Sequence, residues 1–128
     1  MKHFSFEEAF STSVRYFNGD ELAAKVFLDK YALKDNAGNI LEDTPAAMHK
    51  RLAKEFARIE AKKFKRPLTE DEIFAWLDHF KYIVPQGSPM FGIGNDYQIV
   101  SLSNCFVVEP PLDSYGGIMR CDEHLVQI

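Results

Sequence analysis

The sequence predicts an α+β fold in which a helical region, residues 1–84, precedes one β-strand and a final helix within residues 85–128. Three observations favour this arrangement. In the first region, apolar residues recur every three or four positions in four successive segments, which is the spacing of amphipathic helices. Residues 98–109 alternate between two unlike faces, as a strand does. Pro110 and Pro111 then break this pattern before a last amphipathic segment.

Two short helices are predicted to open the chain. Ser5 and Glu8 are spaced as a capping box at the start of the first helix, and a turn at 18–19 ends it. Asp20 follows directly and is placed to cap the second helix. Turn-forming residues at 34–39 end this helix pair. The predicted inward positions are Phe6, Phe10, Val14 and Phe17 in the first helix, and Leu22, Ala23, Val26, Phe27 and Tyr31 in the second.

Two further helices begin at strong local signals. Thr44 followed by Pro45 combines an N-cap residue with a proline at the first helical position. Thr69 and Glu72 form a second capping box, after Pro67 has interrupted the preceding pattern. The predicted inward positions are Met48, Leu52, Phe56 and Ile59 in the third helix, and Ile73, Trp76, Leu77 and Phe80 in the fourth.

The outer face of the third helix carries a run of lysine and arginine residues. Its members are Lys50, Arg51, Lys54, Arg58, Lys62, Lys63, Lys65 and Arg66. Such a face is usually solvated, although it could also meet a phosphate or an acidic partner. The whole chain has a formal charge of -4, which argues against a nucleic-acid binder that depends on broad positive charge. We therefore expect no direct nucleic-acid partner.

Length and composition are those of one globular domain with an aromatic-rich core. The 128 residues are 46% hydrophobic and 27% charged, which is not the composition of a disordered chain. No apolar run approaches the roughly 20 residues that span a bilayer, and the acidic N-terminus lacks the apolar core of a signal peptide. Two cysteines are too few for a secreted disulfide framework. We expect a cytoplasmic protein with no membrane partner.

The predicted strand has one apolar face and one face of small polar groups. The apolar face carries Val100, Leu102, Phe106 and Val108 and is interrupted by Asn104, whereas the other face carries Ser101, Ser103, Cys105 and Val107. Buried hydroxyl groups cost free energy unless they are paired, so the polar face suits a cavity in which a polar ligand approaches the backbone. Cys105 is then either a small core residue, which is the commoner case, or a reactive thiol.

Two loops flank the strand and could bind anionic groups. Residues 86–95 are rich in glycine, but they lack the Lys-Ser/Thr pair of a P-loop and they precede a strand, whereas a dinucleotide fingerprint follows one. Their backbone amides could receive phosphate oxygens, or the segment is an ordinary connection. Residues 113–117 place Asp113 or Ser114 at the N-terminus of the last helix. That position suits an anion or a nucleotide, or a plain N-cap.

The sequence disfavours metal-binding and hydrolytic sites. Cys121 and His124 could share a helix face, but no second ligand pair at zinc-site spacing accompanies them. The remaining histidines, His3, His49 and His79, are isolated in the sequence, and none is paired with a nucleophile. We therefore expect no metal site and no Ser-His-Asp hydrolase site.

Taken in order, these features resemble the start of the α/β barrel in the large, catalytic subunit of ribonucleotide reductase. The similar segments are a Ser-Pro loop, then Ser-Leu-Ser-Asn-Cys-Phe-Val, then Asp-Ser-Tyr-Gly-Gly-Ile. The helical stretches that begin at Tyr16 and at Thr44 are most similar to the adenosylcobalamin-dependent branch. The resemblance implies an N-terminal helical region followed by the first strand and helix of the barrel. It also implies an oxidoreductase that converts ribonucleotides to deoxyribonucleotides by radical chemistry.

The resemblance assigns roles residue by residue. Cys105 matches the first of two redox-active thiols that reduce the ribose. Ser88 and Asn104 match contacts to the ribonucleotide substrate, although the family often has serine where Asn104 stands. The implied effector-site residues, which read a deoxynucleoside triphosphate, are Asp113, Ser114 and Tyr115. The implied cofactor is adenosylcobalamin, and the implied partners are a thioredoxin- or glutaredoxin-type reductant and the remaining part of the barrel.

The chain departs from the family pattern in several catalytic parts. The family's radical-carrying cysteine, second disulfide cysteine, general-base glutamate and cobalamin pocket have no match here, and Cys121 has no counterpart in the family. We therefore expect residues 85–128 to be a truncated start of the barrel, with the substrate loop, the first strand and the start of the specificity-site helix. The isolated chain is expected to be inactive. The alternatives are a non-catalytic helical interaction module and a decayed gene fragment.

Overall fold

The computed structural model describes residues 2–103 and 105–128, and the regular structure within those ranges is helical. The described elements follow one another along the chain as six α-helices and one 3-10 turn. They are α1 (Phe6–Tyr16), α2 (Glu21–Lys30), α3 (Pro45–Lys63), α4 (Glu70–Leu77), the 3-10 turn (Asp78–Phe80), α5 (Gly87–Gly92) and α6 (Tyr115–Gln127). No described helix is both long and apolar enough to cross a membrane.

Side-chain caps set the starts of the first four helices, as predicted. They are formed at Ser5, Asp20, Thr44 and Thr69. In α1, the N–H of Glu8 donates to Ser5 Oγ at 3.2 Å, and the N–H of Ser5 donates to Glu8 Oε2 at 2.9 Å. Thr69 and Glu72 form the same reciprocal pair in α4. Each cap satisfies a backbone N–H that has no acceptor inside its own helix.

One hydrophobic core joins the helix pair α1 and α2 to the pair α3 and α4. Its buried members are Ala9, Phe27, Leu28, Ala32, Ile40, Met48, Leu52, Ala53, Ile73 and Leu77. Full burial of a large aliphatic side chain contributes about 1.5–3 kcal/mol, so these positions hold the helices together. We call residues 4–96 the helical body, because the core and the helices packed around it lie within that range.

Some positions that the sequence predicts to be inward lie at the surface instead. Phe6 is 47% exposed and Trp76 is 39% exposed. Helix α1 instead buries Ala9 and Ser13, because small side chains allow the helix to approach its neighbours closely. Ser13 Oγ donates to the carbonyl oxygen of Asp43 at 2.7 Å, which satisfies the buried hydroxyl.

Residues 34–39 form the predicted turn between α2 and α3. Asp35 Oδ1 accepts a hydrogen bond from the N–H of Asn39 at 2.9 Å, which is typical of the way aspartate stabilises turns. Beyond the turn, the carbonyl oxygen of Ile40 accepts the N–H of Phe4 at 3.0 Å in an isolated β-bridge. The bridge ties the segment before α1 to the segment between α2 and α3.

The prediction of a buried strand at 98–109 is wrong for the described part of this stretch. Its described residues form no β-ladder, and most of them are exposed. A strand is held by hydrogen bonds to a neighbouring strand, and no other described segment pairs with this one. The predicted α+β fold is therefore corrected to a helical one over the described residues, in which the start of a barrel is not seen. A trace of the alternation persists, because Val100 and Val108 are half-buried, whereas Ile99 and Val107 are fully exposed.

Candidate functional site

The Ser-Pro segment, predicted as a loop, folds into the short helix α5. The helix follows Gln86, which has extended backbone, and runs for six residues. Ser88 is the second of these residues and is half-buried. The side chains of Met90 and Ile93 pack against the core, so one side of α5 is fixed to the helical body. Ser88 therefore lies on an anchored element at the edge of the body.

An ion pair between Arg51 and Glu42 holds the C-terminal end of α5. Arg51 Nε lies 2.7 Å from Glu42 Oε1, and Arg51 Nη2 lies 3.1 Å from Glu42 Oε2. The same guanidinium donates to the carbonyl oxygen of Met90 at 3.0 Å and to that of Ile93. The side chains of Arg51 and Glu42 are only 10% and 7% exposed. The prediction that Arg51 lies on the solvated face of α3 is wrong, because its guanidinium is buried against its acceptors on Glu42, Met90 and Ile93.

The stretch that follows α5 contacts this helix at Gly92. A Cβ added to Gly92 would lie 2.8 Å from Leu102 Cδ2 and still closer to Val100 Cγ2. The two apolar side chains therefore close directly on the glycine, which leaves no room for a side chain at this position. This contact brings the start of the 98–109 stretch against the helix that carries Ser88.

Cys105 lies beyond that contact, and its free thiol is exposed. The neighbouring hydroxyl is satisfied locally, because Ser101 Oγ accepts the N–H of Ser103 at 3.2 Å and donates to the carbonyl oxygen of Ser103 at 3.3 Å. The thiol is thus accessible, and the interpretation of Cys105 as a packed core residue does not fit the structure. Asn104, the second predicted substrate contact, lies outside the described residues.

The predicted effector residues lie at the start of α6. Ser114 Oγ accepts the N–H of Gly117 at 3.0 Å, so Ser114 is the N-cap of this helix. Asp113 and Tyr115 are exposed, and 89% of Tyr115 is accessible to solvent. The side chains of Asp113 and Tyr115 are therefore accessible to a ligand from solvent.

The structure brings the predicted site segments together only in part. The segment that leads to Cys105 meets α5, which carries Ser88. Among the described hydrogen bonds and ion pairs, none joins Ser88, Cys105 and Ser114 to one another. Helix α6 is connected to the preceding stretch through Cys121, whose Sγ lies 3.9 Å from the carbonyl oxygen of Glu109. Cys121 thus has a local structural contact and no link to Cys105 within the described residues.

A comparison with protein-family models matches residues 17–96 to the family described as "Ribonucleotide reductase, all-alpha domain". The matched range covers more than half of the chain and contains α2 to α5 with the Arg51–Glu42 pair. The chain belongs to this family. It therefore carries the N-terminal all-alpha domain of a ribonucleotide reductase large subunit, which confirms that part of the resemblance. Neither the comparison with curated proteins nor that with solved structures finds a match.

A second polar cluster lies in the helical body and was not identified from the sequence. His49 on α3 is fully buried, and within the described structure neither ring nitrogen has a hydrogen-bond partner. Its Nδ1 lies 3.8 Å from Asp78 Oδ1. Asp78 Oδ1 accepts the hydroxyl of Tyr16 at 3.0 Å, and that hydroxyl accepts the N–H of His79 at 2.8 Å. These four residues tie the end of α4 to α1 and α3.

Burial shifts the pKa of two members of this cluster, His49 and Tyr16. Burial lowers the pKa of His49, and the nearby Asp78 opposes this shift only in part. Burial also raises the pKa of the Tyr16 phenol. Both groups are therefore neutral in the folded domain at neutral pH. His79 and Phe80 hold left-handed backbone, with φ of 53° and 54°, a conformation that is strained for residues other than glycine.

Two clefts flank α3 in the reductase domain. An apolar cleft of about 350 Å³ lies between α3, α4 and α5, and Phe56 and Trp76 are among its lining residues. A second cleft of about 520 Å³ has charged residues in its lining, among them Lys50, Lys54 and Asp96. Trp76 was predicted to be a core residue, and its exposed side instead faces the apolar cleft.

Adenosylcobalamin is the cofactor that the resemblance implies for the complete enzyme. The described residues contain no group of three or more His, Cys, Asp or Glu side chains that could hold a metal ion. The resemblance itself places the cobalamin pocket in a part of the barrel that has no match in this sequence. The roles that the resemblance assigns to residues of this chain are those of a reducing thiol, substrate contacts and effector contacts.

Proposed function

We propose that this chain is the N-terminal part of a working ribonucleotide reductase, which supplies one redox thiol and part of the substrate and effector sites to the complete barrel. The family match over residues 17–96 carries this proposal. The order of the motifs along the chain supports it, since Ser88, Cys105 and Ser114 stand in the sequence as they do in the family. Without the rest of the barrel, the chain is inactive in this proposal.

The proposed reaction replaces the 2′-hydroxyl group of the ribose by hydrogen. The bond between the 2′-carbon and its oxygen breaks, the oxygen leaves as water, and a carbon–hydrogen bond forms. Two electrons and two protons come from Cys105 and a second thiol of the barrel, which join in a disulfide. A thioredoxin- or glutaredoxin-type protein then reduces the disulfide. The exposure of Cys105 supports this role, because thiol–disulfide exchange requires access to the sulfur.

The substrate and effector contacts are proposed on the same basis. Ser88 and Asn104 contact the ribonucleotide, and Asp113, Ser114 and Tyr115 contact a deoxynucleoside triphosphate effector. The anchoring of α5 supports the role of Ser88, because a substrate contact must be held in place. The exposed start of α6 supports the effector role, because a helix N-terminus favours phosphate oxygens and an exposed aromatic ring can stack on a base.

Adenosylcobalamin is our proposal for the radical source of the complete enzyme. The similarity of the stretches that begin at Tyr16 and Thr44 to the adenosylcobalamin-dependent branch supports it. When bound, this cofactor would supply the radical that starts the reaction. The residues described here would bind and orient the nucleotide and would hold one of the reducing thiols.

Complementation tests the proposed function. The chain is combined with an adenosylcobalamin-dependent reductase barrel that lacks the corresponding N-terminal part, and deoxyribonucleotide formation is measured with a thioredoxin system. The wild-type chain should restore the reaction. Cys105→Ser should lower turnover roughly 10³-fold or more, because the disulfide can no longer form. Cys121→Ser is the matched control and should keep wild-type activity. A wild-type chain that restores nothing, or a fully active Cys105→Ser variant, would contradict the proposal.

A further inference from the structure

The guanidinium of Arg51 joins segments of the domain that are far apart in sequence. It pairs with Glu42, which lies between α2 and α3, and it donates to the carbonyl oxygens of Met90 and Ile93 at the end of α5. Glu42 Oε2 also accepts the N–H of Leu33 at 2.9 Å. One buried ion pair thus connects the segment after α2, helix α3 and helix α5.

The arrangement suits arginine and not lysine. A guanidinium presents five N–H donors in one plane, and here its donors reach both carboxylate oxygens of Glu42 as well as two carbonyl oxygens. A lysine ammonium is a compact centre with three donors, and it cannot reach both sides of this site at once. Because the pair is almost fully buried, a carboxylate or carbonyl oxygen that lost its donor would lie away from water, which is costly.

Helix α5 depends on partners outside itself. It has six residues, which include Gly87, Pro89 and Gly92, and its N-cap residue makes no side-chain cap. Such a short helix is unstable alone, because starting a helix costs more than a few hydrogen bonds return. Its last carbonyl groups also lack N–H donors within the helix's own hydrogen-bond pattern. Arg51 supplies both donors and positive charge at that end, where they stabilise a helix.

Gly94 leaves the space that the Arg51 side chain occupies. Its backbone is left-handed, with φ of +70°, and an added Cβ would lie 2.9 Å from Arg51 Cγ. Both the conformation and the contact therefore favour glycine at this position. A substitution at Gly94 would displace the Arg51 side chain without removing any group of the ion pair.

We propose that Arg51 is a positioning residue which, held by Glu42, fixes α5 and thereby sets the position of Ser88 in the substrate site. The role of Ser88 in this inference rests on the proposed function, whereas the anchoring of α5 rests on the geometry alone. Arg51 acts through the backbone of α5 and touches no reacting group. Its loss should therefore weaken substrate binding and leave the chemical step nearly unchanged.

Hydrogen exchange of the full chain tests the anchoring. Arg51→Lys should make the amides of residues 88–95 exchange at least roughly tenfold faster, because hydrogen bonds from a charged group are lost, while the amides of α4 keep their protection. Arg58→Lys is the matched control on the same helix, since Arg58 pairs with Glu55 at the surface and its side chain is 52% exposed. It should change nothing at 88–95.

Gly94→Ala keeps this test decisive if Arg51→Lys does not fold. Gly94→Ala should also speed the hydrogen exchange of the amides at 88–95, and it should leave the exchange of the α4 amides unchanged. Unchanged exchange at 88–95 in the variants, or an increase that spreads equally over α4, would overturn the anchoring role. The first result would show that α5 does not depend on the ion pair. The second would show that the pair supports the whole domain and not α5 in particular.

Kinetics of the complemented reductase test the positioning of Ser88. Arg51→Lys should raise the KM for the ribonucleotide about tenfold and change kcat by less than about twofold, because uniform binding is lost. Arg58→Lys should leave both unchanged. Ser88→Ala should also raise the KM. In the double variant, Arg51→Lys should raise the KM only slightly beyond the value for Ser88→Ala, because the two changes act through one contact. A fall in kcat at constant KM would overturn the inference.

The two parts of the test separate the two proposals. If the wild-type chain restores no activity, the proposed function fails, and hydrogen exchange still decides whether Arg51 anchors α5. If Ser88→Ala leaves KM unchanged in an active enzyme, the substrate role of Ser88 is overturned, and with it the functional part of this inference. If both variants raise KM while exchange rises only at 88–95, the inference is confirmed.

Discussion

The helical body, residues 4–96, and the C-terminal segment, residues 97–128, are organised in opposite ways. All residues that are buried in the described structure lie at or before Leu77. Large apolar side chains of the C-terminal segment remain exposed at Ile99, Leu102, Phe106, Val107, Leu112, Tyr115, Ile118, Met119, Leu125, Val126 and Ile128. The body buries many of its apolar residues in a core, although Leu22 and Tyr82 are among those it leaves exposed. The C-terminal segment buries none of its described residues.

The difference shows how far each kind of element depends on neighbours. A helix satisfies its backbone hydrogen bonds internally, so capped helices can pack into a core that local sequence largely specifies. A strand obtains its hydrogen bonds only from another strand. Residues 98–109 have the alternating side chains of a strand but no paired neighbour in the described structure. Under the proposed function, strands of the complete barrel would provide these hydrogen bonds and cover the apolar face.

The largest expected effect separates a core leucine from a leucine of the C-terminal segment. Leu52 is fully buried, so Leu52→Ala should lower the free energy of unfolding by about 2–5 kcal/mol. Leu125 is exposed on α6, and Leu125→Ala should change the free energy of unfolding by less than about 0.5 kcal/mol. Urea unfolding followed through Trp76 fluorescence measures both. Equal losses would show that α6 belongs to the same cooperative core.

A smaller effect compares two N-caps. Thr69→Ala removes the capping box of α4 in the helical body and should lower the free energy of unfolding by about 1 kcal/mol. Ser114→Ala removes the same kind of cap from α6 and should leave the unfolding of the body unchanged, because α6 contributes no buried residue to the described core. If urea unfolding gives the two variants the same loss, the two regions do not unfold separately.

The smallest effect is a shallow dependence of stability on pH. Because burial lowers the pKa of His49 in the folded domain, the unfolded chain binds a proton more readily, with an ordinary histidine pKa near 6.5. Stability from this group is therefore fully present above that value and is lost as the pH falls below it. Asp78 and His79 are the charged or titratable groups that influence this histidine.

Melting temperatures between about pH 8 and pH 5 measure this dependence. His49→Leu should flatten the slope relative to wild type, whatever its effect on the absolute melting temperature. His124→Gln, which changes an exposed histidine of α6, is the matched control and should keep the wild-type slope. An unchanged slope in His49→Leu would show that this buried histidine does not control the acid stability of the body.

The parts of the fold that the sequence predicts correctly are those with local signals. The capping pairs at Ser5 and Thr69 and the Thr44-Pro45 start lie within a few residues of the helix starts that they specify. Helix α5 was predicted as a loop, because its glycines and proline disfavour a helix and the stabilising Arg51 is distant in sequence. Tertiary hydrogen bonds decide the structure there, and local propensity does not.

The site residues also divide into those with a local sequence signal and those brought together only by the fold. The positions of Ser88, Cys105 and Ser114 were proposed from the order of sequence motifs, and their roles stay predictions. The Arg51–Glu42 pair and the contact of His49 with Asp78 could not be predicted, because each joins segments that only the fold brings together. One signal for Arg51 was present, since it lies three positions after Met48 and so at the edge of the apolar face of α3.

The thiol state of Cys105 during one turnover tests the central claim most directly. The complemented reductase is given ribonucleotide without an external reductant, and free thiols are then alkylated and located by mass spectrometry. We expect Cys105 to become protected from alkylation in proportion to the deoxyribonucleotide formed, while Cys121 stays reactive. Deoxyribonucleotide formed with Cys105 still fully alkylated would contradict the claim that this chain supplies a reducing thiol to a ribonucleotide reductase.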